Sequence, residues 1–282
     1  MNKLVSLLCV AVLCISCAAS APDNLAEITP NTFPKDYVQS SSGYLTQGGL
    51  LVLTLAPKTY IYLNDKPIAQ VNGLSVIGFG RDAKLTQRLR LVRHGKTHRH
   101  LLQLQPRNYN VQYIEGVAKK YVAPPPAVYK RIRADGKRKS NARGVFHQKD
   151  WFKQGFIEPV AGVITGVYGS QRYFNGAPRR PHYGLDIAAP AATPVMASAD
   201  GVITLAEADM YFEGGLVFIN HGLHITSAYL HLQDVQVSEG DFVKQGDIIG
   251  TVGAGGRSTG AHLDWRVFWQ GAQIDPQLLL RN

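Results

Sequence analysis

From Gly43 onward the chain is a series of short apolar runs cut by Gly, Asn and Asp. Leu50 to Leu55 is one run. Tyr60 to Leu63 is followed by the pair Asn64-Asp65, and Asn72-Gly73 leads into Leu74 to Phe79. Such pairs adopt the left-handed positions of tight hairpin turns, so the pattern predicts antiparallel strands. Leu89 to Val92 and Leu101 to Leu104 read as two more strands around a basic loop, Arg93 to His100. These segments predict a smaller, sandwich-like β-domain over 43–118. After Gly155 the runs are Val163-Ile164, Val202 to Leu205, Leu216 to Ile219, His224 to Tyr229, Ile248 to Val252 and Leu263 to Trp269. They are short, rich in β-branched residues and separated by Gly turns, with little helical periodicity. An antiparallel β-sheet domain over 153–282 follows, and the fold class is all-β.

Two polar segments interrupt the pattern. Residues 22–42 carry Pro and Ser and read as a linker. Residues 119–152 form a basic connector, with Asp135 the single acid between Lys119 and Lys149, the run Pro124-Pro125-Pro126, and one helix expected from Val128 to Arg143. Such a charge run is more often a solvated face than a binding site, although it would suit an anionic wall or membrane surface. At the start of the chain, Lys3 precedes the apolar run Leu4 to Ile15 and then the small residues Ser16, Ala18, Ala19, Ser20 and Ala21. This is the layout of a signal peptide over 1–21, which predicts export to the periplasm or cell envelope. Cys14-Ile15-Ser16-Cys17 loosely resembles a lipoprotein processing site, so lipid anchoring at Cys17 ranks second to simple cleavage. All three cysteines lie in this leader, and no internal disulfide is expected after processing.

Composition changes this picture little. The chain is 45% hydrophobic and 18% charged, as folded proteins are. Its 30 Lys and Arg against 20 Asp and Glu give a net charge of +10, which favours polyanionic partners. The leader and the lack of any base-reading motif argue against nucleic acid.

The chemistry concentrates after residue 180. His182-Tyr183-Gly184-Leu185-Asp186 is a His-x3-Asp, His231 stands in Tyr229-Leu230-His231-Leu232, and His262-Leu263-Asp264 is a His-x-Asp preceded by the glycine-rich turn Gly253 to Gly260. A catalytic zinc takes three protein ligands and keeps one position open. A His and an Asp four apart meet across a turn that Gly184 makes easy, and residues two apart on a strand share a face. Singly, each cluster is the commoner structural histidine; their joint occurrence points to a metal.

Gly169-Ser170-Gln171-Arg172, Asn175-Gly176, Pro181 to Pro190, Thr193-Pro194-Val195, Ala199-Asp200-Gly201, Asn220-His221-Gly222, Gly240 to Gly250 and Gly256 to Leu263 resemble, in order and spacing, the lysostaphin/LytM-type zinc endopeptidases. The segment Gly43 to Tyr121 is similar to the β-domain preceding that module in Gram-negative members, through Ile77 to Arg81 and Arg107-Asn108-Tyr109. The resemblance implies zinc held by His182 and Asp186, with His231 and His262 as the catalytic pair. The family's third ligand is the second His of His-Leu-His, where this chain has Asp264. Asp264 is then the expected third metal ligand, and two carboxylates should weaken the pull of the ion on its water, leaving zinc bound and activity somewhat reduced or shifted to alkaline pH. The implied substrate is the peptide cross-link of bacterial peptidoglycan, reached through its stem peptides. The alternative is a non-catalytic relative that binds the wall and activates an amidase. Tyr173, Phe174, Asn175, Arg179 and Arg180 are placed at the groove border; His221, His224, Trp265 and Trp269 are read as structural. Peripheral or lipid-anchored membrane association and the oligomeric state stay open.

Overall fold

The computed structural model describes Leu25, Glu27, Ile28 and residues 32–280. The signal peptide over 1–21 and the lipidation reading of Cys17 lie outside these residues. Among the described residues no helix is long and apolar enough to cross a membrane.

The architecture is all-β, as the runs predict. Near the N-terminus, one four-stranded sheet is ordered Val38–Gly43, Leu50–Leu55, Leu74–Gly78 and Gln70–Val71, and a second is ordered Lys66–Pro67, Thr59–Leu63, Thr86–Arg93 and Lys96–Gln103. The turn pairs behave as their chemistry dictates: Asn64 and Asp65 have φ of 48° and 68°, and Asn72 and Gly73 have 49° and 77°. The basic loop expected over Arg93 to His100 is absent. Those residues form a hairpin in which Arg93 pairs with Lys96 around His94-Gly95, at φ 48° and 73°. Its second strand lies at a sheet edge, where an exposed outer face tolerates Lys96 and Arg99, so a search for apolar runs finds only its end. Strand structure also begins at Val38, inside the segment read as linker.

The C-terminal half builds one ten-stranded sheet, whose main path runs Val163–Gly166, Leu185–Ala188, His262–Trp269, Ile225–Val235, Gly214–Gly222, Gly201–Met210 and Phe242–Val243. Every pairing along it is antiparallel. Leu185, Ile187, Ile225, Leu263, Trp265 and Val267 pack in a core cluster that continues into both N-terminal sheets through Leu51, Ile77 and Leu91. The basic segment holds a 16-residue helix, Tyr129–Gly144, preceded by a single helical turn at Lys119–Val122 and a 3-10 turn at Pro126–Val128. Several of its charges are paired rather than solvated: Lys139 meets Glu213, Arg138 meets Glu207, and Asp135 accepts from the Tyr211 amide at 2.9 Å.

Arg107 and Asp275 join the two halves by a 2.7 Å ion pair, with side-chain exposures of 11% and 1%. Burial pushes the Asp275 carboxyl up, and Arg107 pulls it back. Removing one member of such a pair strands the other without solvent. Arg107→Ala is therefore expected to cost roughly 3–5 kcal/mol, read as a lower midpoint in chemical denaturation. A midpoint within error of wild type would mean that water replaces the guanidinium.

His221 is fully buried, with Nδ1 donating to the Asp200 carbonyl at 2.7 Å and Nε2 2.7 Å from Ser227 Oγ. Burial holds its pKa down to about 4. An unfolded chain takes up that proton near pH 6.5, so its stabilising contribution is complete above pH 6.5 and is lost as pH falls toward 4. The loss amounts to about 3 kcal/mol at most. In His221→Gln the thermal midpoint should fall less steeply between pH 7 and 4.5 than in wild type; equal slopes would exclude this residue as the origin.

Candidate functional site

Leu185–Ala188 and His262–Trp269 are antiparallel neighbours, and their register sets Asp186 directly opposite Asp264. Both carboxylates therefore rise from the same face of the sheet. Gly184 gives them room, since a Cβ there would collide with Asp264 Oδ1 and with Arg266 Cγ. His182 is fixed just ahead of its strand, its amide donating to the Ser170 carbonyl at 2.8 Å and its own carbonyl accepting from Gly169 at 2.7 Å. The ligand atoms of His182, Asp186 and Asp264 lie within 4.8 Å of one another, and all three residues are buried.

Two of those atoms lack partners. His182 Nε2 and Asp186 Oδ1 are solvent-inaccessible and make no hydrogen bond, although they lie 3.2 Å apart. Buried polar atoms in native structures are nearly always satisfied. An imidazole nitrogen and a carboxylate oxygen converging on one point are satisfied together by a cation, and an N/O donor set of this kind fits zinc.

His231 and His262 flank the same point, their rings 4.8 Å apart. His231 sits in the strand Ile225–Val235 with φ 65°, a left-handed conformation that costs a non-glycine residue about 1–3 kcal/mol and is concentrated at functional sites. Its amide donates to the Glu213 carbonyl at 2.8 Å, and its Nδ1 lies 2.8 Å from the Gly255 carbonyl. A carbonyl only accepts, so Nδ1 carries the hydrogen and Nε2 is left with a free lone pair. His262 repeats this, with Nδ1 2.9 Å from the Gly260 carbonyl and Nε2 3.9 Å from Asp186 Oδ1. Burial first, and His262 second, hold His231 down to about 4, so its imidazole is neutral at neutral pH.

Burial works against ionising the two carboxylates, but their neighbours outweigh it. His182, Arg172 and His262 hold Asp186 well below the usual carboxylate range. Arg266 does the same for Asp264, against the opposing effects of burial and Asp186. Arg172 forms an ion pair with Asp186 Oδ2, while its Nε donates to Gln112 Oε1 at 3.1 Å. Arg266 Nε donates to Asp264 Oδ1 at 3.0 Å and to Oδ2 at 3.1 Å, and its Nη2 also bonds Oδ2.

The structure thus brings together all five residues singled out in the sequence. A cavity opens over Asp186, His231, His262 and Asp264; of the groove-border residues, Phe174 lines it, and Arg180 lines a neighbouring groove. The other three face the segment 113–122: Tyr173 stacks on Tyr113, Asn175 bonds Val117, and Arg179 donates to the Val122 carbonyl. His221, Trp265 and Trp269 are buried in the sheet, and His224 packs on Phe146. Sequence reasoning missed Arg266, Glu213, Ile114 and Val117 as cavity-lining residues. Arg266 had a signal, because it shares a strand face with Asp264 two residues away. Ile114 and Val117 had none; they arrive because Val111–Ile114 adds a parallel strand beside Gln171–Phe174.

Residues 180–276 match the model of peptidase family M23, a span that contains all five of these residues. That stretch of the chain is similar to peptidase family M23. The chain is similar to the DD-carboxypeptidase/endopeptidase Mpg of Neisseria meningitidis, with 43% identity over 126 residues, or 44% of this chain and 29% of that protein. It is similar to the peptidoglycan DD-endopeptidase ShyC of Vibrio cholerae, with 40% identity over 98 residues, or 35% and 22% of the two chains. The chain thus spans less than a third of these curated relatives. A crystal structure described as peptidase M23 from Pseudomonas aeruginosa superposes with a TM-score of 0.66 at 27% identity, covering 84% of this chain and 95% of the other. Likeness over most of both chains carries the M23 fold and the strand-rich N-terminal part together.

Proposed function

We propose that this protein is an M23-type, zinc-dependent endopeptidase that hydrolyses the peptide cross-links of bacterial peptidoglycan in the cell envelope. The observation carrying this reading is the convergence of the partnerless His182 Nε2 and Asp186 Oδ1 with Asp264, beside two histidines with free Nε2 lone pairs. His182, Asp186 and Asp264 would hold the metal. When bound, zinc supplies Lewis acidity at the scissile carbonyl and at water. The chain's residues do the rest. One of His231 and His262 accepts the proton of the attacking water through Nε2 and returns it to the leaving amine; the other, once protonated, donates to the oxyanion.

The surrounding groove suits an acidic peptide. Arg257 lies 5.2 Å from the Phe174 ring centre and 4.9 Å from that of Phe212, and it forms no ion pair among the described residues. A partly buried guanidinium without a carboxylate is matched by the free carboxylates of stem peptides. The relatives named above as a DD-carboxypeptidase/endopeptidase and a peptidoglycan DD-endopeptidase support the same substrate.

The test uses the purified chain with a purified cross-linked muropeptide dimer, zinc being measured by elemental analysis and products by mass spectrometry. About one zinc per chain with conversion of dimer to monomers is expected. Zinc-free protein that leaves every dimer intact would overturn the reading in favour of a non-catalytic wall-binding relative.

A further inference from the structure

The carboxylate at Asp264 is not a bare anion. Arg266, two residues along the same strand, grips both of its oxygens through Nε and one of them again through Nη2. The pair is deeply placed, with side-chain exposures of 3% for Asp264 and 24% for Arg266. Asp186, its register partner across the site, is backed in the same way by Arg172 but keeps Oδ1 unbonded. Two carboxylates facing each other within one buried cluster would repel strongly without such counter-charges.

We propose that Arg266 is a positioning residue that makes Asp264 equivalent in charge to a neutral metal ligand. This inference rests on the reading of His182, Asp186 and Asp264 as the metal-holding set. The guanidinium fork fixes the plane of the carboxylate and cancels its negative charge, so the Asp264–Arg266 unit presents an oxygen donor with no net charge. The charge around the ion is then that of one carboxylate, and the loss of Lewis acidity expected from two bare carboxylates does not arise. Asp264 and Arg266 form a matched unit: replacing the aspartate alone by histidine leaves a partly buried guanidinium facing an uncharged ring and a dication.

Zinc affinity tests this, measured by competition with a chromophoric chelator on the full chain. The set is wild type, Arg266→Gln, Arg266→Lys, Asp264→His and the double variant Asp264→His/Arg266→Gln, with thermal midpoints recorded for the metal-free forms. Arg266→Gln should weaken binding by roughly 10–100-fold, as loss of an outer partner of a metal ligand does. Arg266→Lys, which keeps the charge but not the fork, should fall between wild type and Gln. Asp264→His alone should bind zinc more weakly than wild type, and adding Arg266→Gln should recover most of the loss. The visible spectrum of the cobalt-loaded protein should change in Arg266→Gln, a readout that a purely structural role would leave unmoved. If Arg266→Gln proves too unstable to purify, the Asp264→His pair, with and without Arg266→Gln, decides the matter. Wild-type zinc affinity retained in Arg266→Gln, or an Asp264→His variant that needs no second change, overturns the proposal and leaves the metal reading standing. No zinc binding by wild type removes both.

Discussion

His231→Asn is expected to lower cross-link cleavage by roughly 10²–10⁴-fold, the usual contribution of a general acid–base group, while zinc content stays at the wild-type level. Asparagine is the appropriate replacement because His231 has φ 65°, and asparagine tolerates that conformation where alanine adds strain. The fold around it should persist, since the backbone bond from His231 N to the Glu213 carbonyl does not involve the side chain. What is lost is the imidazole whose Nδ1 is committed to the Gly255 carbonyl and whose Nε2 is thereby left as a base. Metal content should not move, because the converging ligand atoms belong to His182, Asp186 and Asp264. Cleavage within a few-fold of wild type would assign the proton transfer to His262 alone. Loss of zinc together with cleavage would instead place His231 in the metal shell.

The parts legible in the sequence are those set by local chemistry. Turn pairs at Asn64-Asp65 and Asn72-Gly73 announce hairpins because few residues adopt a left-handed backbone cheaply, and both pairs do adopt it. His182, Asp186, His231, His262 and Asp264 were found from spacing and resemblance, and the register of two strands brings the carboxylates face to face. The parts that stayed hidden depend on pairing across long separations or on polar strands. The hairpin strand Lys96–Gln103 is mostly polar, so its strand character comes from pairing with Thr86–Arg93 rather than from its own apolar content. Ile114 and Val117 reach the cavity through a parallel ladder with residues some sixty positions on, which no local pattern encodes. The connector's charges were read as solvated because pairing partners such as Glu207 and Glu213 lie on distant strands. Sharing a strand face puts Arg266 near Asp264 in the sequence reading, but the ion pair between them emerges only when the side chains are placed.

Asp186→Asn should abolish tight zinc binding, with an affinity loss exceeding the ~10–100-fold that removal of an outer partner costs. The argument rests on which atom is altered. Asp186 Oδ2 is occupied by Arg172, so Oδ1 is the oxygen left for a cation, and it is already partnerless and 3.2 Å from His182 Nε2. An amide of the same shape carries no charge, and it would turn its oxygen toward Arg172 and its NH₂ toward the metal position. The measurement is the thermal midpoint with and without added zinc. A ligand present at about 100 times its Kd stabilises the folded chain by about 2.7 kcal/mol, so wild type should show a rise of several degrees. In Asp186→Asn that rise should vanish. The metal-free midpoint has its own direction: losing the charge relieves repulsion with Asp264 but leaves Arg172 without its counter-charge, so the two effects offset in part. A zinc-dependent rise that survives in Asp186→Asn would mean that the cation sits elsewhere. A rise lost in Asp186→Asn but kept in His231→Asn separates the residues that hold the metal from the residue that moves the proton.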